Sequence, residues 1–179
     1  MNRCSWCNLK NEKYVSYHDN EWGQVNKDEL YLYEMFILET FQAGLSWECI
    51  LNKRSFFEEA YDSFDINKII KYDVEKEQKL MNNKNIIRNK LKIKASISNS
   101  KIYFNIIKEY GSFYDYLNVF TNGNIVYEND KTISKLSDSI SKDLKDRGMK
   151  FVGSTTIYSY LQAIGIINSH EKNCFLYKK

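Results

Sequence analysis

The sequence contains no proline and only seven glycines among its 179 residues, so the two strongest local breakers of regular structure are scarce. Together with the abundance of Asn, Lys, Ile and Tyr, the missing proline reflects a compositional bias and carries no function. Net charge is only +3, which excludes an overall basic field and requires any nucleic-acid contact to come from a local patch. No segment approaches the ~20 apolar residues of a membrane span. Residues Met1 to Trp6 carry no apolar run of signal-peptide length, so a cytoplasmic protein without a membrane partner is expected. In that reducing compartment the four cysteines read as thiols or metal ligands and not as disulfides. What is present, 43% apolar and 27% charged residues, is ordinary for one folded domain or two small lobes sharing a core.

Apolar residues recur at three and four positions in segment after segment, whereas strand-like alternation is scarce, so an all-α fold is expected. Asp28 caps a helix to about Thr40 with Leu30, Tyr33, Ile37 and Phe41 along one face. After a turn at Gly44, Ser46 caps a helix running to about Tyr61, stapled by Leu45 and Ile50. Asp65 and Asp73 look like further caps. A short helix from Asp73 to about Met81, the turn Asn82 to Asn85, and a long helix from near Ile87 to Tyr110 form a helical hairpin. Ser112 starts the helix Phe113 to Phe120, ended by Asn122-Gly123. Residues Asn124 to Ile133 read as loop, and helices closed by Gly148 and Gly165 follow.

The two histidines each lie near cysteines: Cys4 and Cys7 with His18, and His170 with Cys174. A four-residue spacing puts His170 and Cys174 on one face if that segment is helical. Two cysteines and two histidines complete a tetrahedron with no open position, so such a zinc is structural and fastens the two ends of the chain together. Five candidates compete for four places, because Cys4 and Cys7 also have a zinc-knuckle spacing. The competing account makes His18 a hydrogen-bonded histidine and the cysteines small buried apolar groups.

Trp6, Tyr14, Tyr17, His18, Glu21 and Trp22 crowd one stretch, and Glu39, Gln42 and Trp47 follow at a helix junction. Aromatic faces attract cations and sandwich flat bases, and a carboxylate among them could bind a purine edge and balance a positive charge. Aromatics at helical spacing are also ordinary core. Glu39 fits that account less well, since it follows Ile37-Leu38 near the end of an apolar helix, where an unpaired carboxylate is costly.

Tyr17-His18-Asp19-Asn20-Glu21-Trp22-Gly23, Leu38-Glu39, Gln42-Ala43-Gly44-Leu45-Ser46-Trp47 and Lys150-Phe151-Val152-Gly153 together resemble the 3-methyladenine DNA glycosylase I family. The likeness runs from Cys4 to Cys174. It implies a single domain over residues 1–179 with a helix-hairpin-helix glycosylase fold in two helical lobes, the hairpin at about 73–110. It also implies one structural zinc per chain, held by Cys4, His18, His170 and Cys174 in segments 4–18 and 170–174, with Cys7 set aside. In the implied pocket Glu39 hydrogen-bonds the base and is the chemically important carboxylate. Trp6, Tyr14, Tyr17 and Trp47 enclose the base, and Trp22 supports the wall. Lys84, Arg88 and Lys90 meet phosphates of duplex DNA, and Gly44 and Leu45 press into the gap left by the flipped base.

Two departures from the family pattern stand out. Thr40-Phe41 precedes Gln42 where smaller or more polar residues are common, which puts the pocket rim in question, and the hairpin lacks a central glycine, for which Asn82, Asn83 or Asn85 could substitute in left-handed geometry. The resemblance implies a monomer that hydrolyses the N-glycosidic bond of 3-methyladenine in alkylated DNA, releasing the free base without strand cleavage. No acidic residue lies between Asn82 and Ser100 to serve as the aspartate that many hairpin glycosylases use. The lysines Lys84, Lys90, Lys92 and Lys94 read as a solvated or phosphate-facing helix surface, not as Schiff-base nucleophiles. Two other functions remain open on the residues alone: a zinc-pinned DNA-binding module without activity, and a metallohydrolase with a catalytic ion.

Overall fold

Short polar side chains set the helix starts in the computed structural model, which describes residues 1–178. Asn11 caps α1 (Glu12–Asn20), Asp28 caps α2 (Glu29–Gln42) and Ser46 caps α3 (Trp47–Asn52), each accepting first-turn N–H groups. Next come α4 (Arg54–Ala60), a single 3₁₀ turn, and α5 (Ile66–Ile69), which Asp65 caps. Asp73 caps α6 (Val74–Asn82) and Asn89 caps the long α7 (Lys90–Tyr110). Ser112 caps α8 (Phe113–Thr121), a reciprocal Ser134–Ser137 box opens α9 (Lys135–Asp146), and Gly153 precedes α10 (Ser154–Ala163).

The α2 helix is the axis of the core. From Leu32 to Phe41 only Glu34 escapes full burial, and α7, α8 and α10 pack around this segment. Tyr103 and Phe113 stack at 4.0 Å between ring centroids, with Phe36 and Tyr160 against them. Each such ring contributes roughly 1.5–3 kcal/mol of burial. The phenolic hydroxyls do not spoil the core because they find partners: Tyr160 donates to the Leu32 carbonyl at 3.1 Å and Tyr103 to Glu29 at 2.9 Å.

The structure departs from the periodicity at several places. Helix α1 carries no strong apolar stripe and was not expected. Leu30 is exposed, since it lies on the first turn of α2 before the core begins. The helix expected from Ser46 to Tyr61 breaks at Lys53, which re-aims α4 so that Phe57 packs on Phe41 at 4.8 Å. Leu45 is exposed and so does not staple onto the buried Ile50. The long helix begins at Lys90, because the Asn89 side chain captures the N–H groups of Leu91 and Lys92. The hairpin turn needs no left-handed residue: Asn83 has φ −74° and its side chain accepts the Asn85 N–H at 2.9 Å, an Asx turn. Within the expected loop after α8, β1 (Val126–Tyr127) pairs in parallel with β2 (Ile167–Asn168).

The connection between α1 and α2 is stitched onto the end of α10. Gly23 N–H donates to Gln162 O at 2.9 Å and Asn26 N–H to Ile164 O at 3.2 Å. Gly165 permits this approach, with φ +77° and a hypothetical Cβ only 2.1 Å from the backbone carbon of Gln24. Gly165→Ala is therefore expected to destabilise the fold by about 3 kcal/mol through left-handed strain and backbone displacement. Thermal unfolding should show Tm lowered by roughly 6–12 °C; an unchanged Tm contradicts the close approach.

Candidate base pocket and metal centre

A cleft of about 300 Å³ opens between α1, α2, α3 and α10, and Glu39 lies in its wall. Glu39 sits one turn before the end of α2 and is 3% exposed, with Oε2 lacking any hydrogen-bond partner. Burial alone pushes its carboxyl up to about 8. Trp47, in the first turn of α3, lines the same cleft, and its buried Nε1 likewise has no partner. Two buried polar atoms without partners at one cleft are what a site awaiting a polar ligand shows.

The structure brings Trp6, Tyr14, Tyr17 and Trp47 together along this cleft. Tyr17 and Trp47 are 5.1 Å apart between ring centroids, Trp6 and Tyr14 5.4 Å, and Trp6 and Trp22 4.7 Å. Trp22 lines the cleft as well. Tyr17 is pushed far up by burial and then by the Glu39 charge, and burial raises Tyr14 to about 12, so both stay neutral. The walls can stack on a flat ring while Glu39 and Trp47 offer one acceptor and one donor to its edge. Thr40 and Phe41 play no part in the rim: the Thr40 hydroxyl donates to Ile37 O at 2.7 Å, and Phe41 is fully buried on Phe57.

The opposite wall was not anticipated. Ser159 and Gln162 project from α10, Asp130 and Lys131 come from the loop after β1, and Ser169 and Glu171 follow β2. A signal existed for the first pair, polar residues three apart in the apolar second half of the helix, Ile157 to Ala163. For the rest there was none, because the β1–β2 pairing that delivers them is only two residues long.

Behind Trp6 and Trp22 the two chain ends meet. Ligand atoms of Cys4, His18, His170 and Cys174 all lie within 4.8 Å of one another, and all four residues are buried. Cys4 Sγ and Cys174 Sγ are 3.5 and 3.6 Å from His170 Nδ1, and Cys174 Sγ is 3.5 Å from His18 Nε2. Zinc bond lengths in a tetrahedron space sulfur from nitrogen by about 3.6 Å, so the donor set fits that ion. Outer partners orient both rings: Asp19 Oδ1 is 2.8 Å from His18 Nδ1, and His170 Nε2 donates to Trp22 O at 3.1 Å. Burial, and then His18, lowers His170 to about 4, leaving the neutral ring a ligand must be. Backbone N–H groups of Glu171 and Leu176 point at the sulfurs of Cys4 and Cys174. Cys7 lies outside the group and donates to the Tyr14 carbonyl. The segment His170 to Cys174 is not helical; a turn closed by Cys174 N–H on Glu171 O brings the two ligands together.

The residues expected at DNA are all exposed. Gly44, with φ +78°, and Leu45 are exposed on the turn between α2 and α3. Lys84 and Arg88 lie exposed on the connection from α6 to α7, and Lys90 is exposed at the start of α7.

A family model described as methyladenine glycosylase matches residues 6–177. DNA-3-methyladenine glycosylase 1 of Escherichia coli (strain K12) is 38% identical over 183 residues, covering 99% of this chain and 97% of that protein. A crystal structure of 3-methyladenine DNA glycosylase I superposes with a TM-score of 0.93 at 37% identity, covering 99% of this chain and 100% of that one. A variant of 3-methyladenine DNA glycosylase I in complex with 3-methyladenine gives 0.93 at 33% identity, covering 100% of this chain and 99% of that one.

Proposed function

The chain belongs to the methyladenine glycosylase family, and from that premise we propose how its own residues excise 3-methyladenine from DNA as a hydrolase of N-glycosyl bonds. The observation that carries the proposal is the unpaired, buried Glu39 carboxyl in an aromatic cleft. Alkylation at N3 places a positive charge on adenine, which makes it a good leaving group before any enzyme acts. The enzyme's work is to extrude the nucleotide and hold the base where the bond breaks most easily. Glu39 accepts hydrogen bonds from the base edge and stabilises its charge, while Trp6, Tyr14, Tyr17 and Trp47 enclose it. The N-glycosidic electron pair departs with the base, water adds to C1′ and loses a proton, and an abasic site remains. Among the described residues no lysine lines the cleft except the rim residue Lys131, which pairs with Glu128, so the strand is left intact.

In the same proposal α6, α7 and their connection form the DNA-binding hairpin, with Lys84, Arg88 and Lys90 on phosphates. Gly44 and Leu45 fill the gap. Cys4, His18, His170 and Cys174 hold one zinc ion, which supplies a crosslink between the chain ends and no chemistry at the base, because four protein ligands leave water no place. The chain acts as one domain and as a cytoplasmic monomer, where reduced thiols match the free cysteines. No described helix is long and apolar enough to cross a membrane.

Chromatography after incubation with methylated duplex DNA should show free 3-methyladenine, with strands breaking only on later alkali treatment. Absence of released base rejects the pocket, and strand breaks before alkali reject simple hydrolysis.

A further inference from the structure

Lys92 departs from the surface role expected of the α7 lysines. Lys90 and Lys94 are exposed, but Lys92 is 7% exposed. Its Nζ donates to Phe41 O at 2.7 Å and to Ala43 O at 2.6 Å, the carbonyls at the end of α2. A lysine in the first turn of a helix sits at the positive end of the dipole, and desolvation lowers its pKa further. Both costs are offset by the negative end of α2, whose terminal carbonyls it satisfies. Exposed Gly44 and Leu45 follow directly, and Glu39 lies two residues before Phe41. A second lysine repeats the pattern from the other side: Lys53, between α3 and α4, donates to Asn85 O in the hairpin connection at 2.9 Å.

We infer that Lys92 is a positioning residue that locks the Gly44-Leu45 turn to the foot of α7, so that phosphate docking and gap filling occur in one register. This rests on the DNA-contact roles proposed above. Lys92 touches neither base nor phosphate; it holds the turn that does.

In single-turnover excision at saturating protein, Lys92→Met and Leu45→Ala should each lose about tenfold or more in rate, as a misplaced contact does. Because Lys92 acts through the turn, the double variant should be no slower than the worse single variant. Uptake of free 3-methyladenine by Lys92→Met, read by tryptophan fluorescence, should match the unaltered protein. If Lys92→Met does not fold, Lys92→Gln, which keeps an N–H donor, takes its place in the same cycle. Multiplying losses, an unslowed Lys92 variant beside a slowed Leu45→Ala, or loss of free-base uptake together with rate each overturns the inference. An unslowed Leu45→Ala identifies failure of the gap-filling role itself and removes the basis for both.

Discussion

Replacing Glu39 with Gln is expected to lower single-turnover release of 3-methyladenine by on the order of 10²–10³-fold, the loss typical when one preorganised electrostatic contact to a developing charge is removed. The substitution preserves shape and removes charge. It acts where water is excluded, so the missing attraction to the cationic nucleotide is not screened. A rate within a few-fold of the unaltered protein would show that the aromatic walls suffice.

The pH dependence supplies a second readout. With no ligand present, burial holds the Glu39 carboxyl protonated up to about 8. A positively charged base favours the carboxylate, so binding expels that proton and becomes easier as pH rises. The kcat/KM profile should climb toward pH 8 in the unaltered protein and lose that limb in Glu39→Gln. Stability runs the other way. The unfolded carboxyl releases its proton near 4.3, whereas the folded one keeps it to about 8. Between these values the native state binds more protons, so stability falls as pH rises and levels off above the folded value. Glu39→Gln removes this slope, and its Tm should gain on the unaltered protein between pH 5 and pH 8, by several degrees. A gap that does not widen with pH would show that Glu39 is charged and satisfied in the free protein.

This trade between stability and function explains why part of the site was legible in the sequence. Glu39 stood out because a carboxylate among Ile37, Leu38 and Phe41 violates the burial pattern around it, and the cost turns up as an unpaired oxygen. The caps Asp28, Ser46, Asp65, Asp73 and Ser112 were legible because a short polar side chain acts on its own N-terminal turn. The break at Lys53 was hidden, since it comes from seating Phe57 on Phe41 and not from any local breaker. Lys92 was hidden for the same reason: its partners lie 49 and 51 residues away, so its spacing matched a solvated lysine face. The wall built from Asp130, Ser169 and Glu171 depends on the short parallel pairing of β1 with β2, too brief to leave a periodic signal.

The largest stability effect is expected at the metal centre. Cys4→Ser or His170→Ala should abolish stoichiometric zinc, about one ion per chain in the unaltered protein by metal analysis, and should destabilise the fold by at least 3–5 kcal/mol, as losing a partner from a buried charged cluster does. For a chain of this length that is a Tm loss of roughly 10 °C or more. The effect is topological as well as energetic. The described residues before α1 and after β2 form no helix of the core, and Phe175 N–H on Asn2 O, with the Ser5 N–H and hydroxyl on the Glu171 carboxylate, is most of what else joins them. Cys7→Ser is the control, for Cys7 contributes only a weak thiol contact to Tyr14 O at 3.8 Å, so zinc content should be unchanged. The damage should also reach the pocket without any metal chemistry. Trp6 packs on His18 at 5.2 Å and Trp22 on His170 at 4.7 Å, so when the histidines lose their anchor the cleft loses the back of its aromatic wall. Chelated protein should therefore take up free 3-methyladenine less tightly as well as melt earlier. Full zinc retention in His170→Ala, or a melting point unmoved by chelation, would assign these four side chains to the core instead.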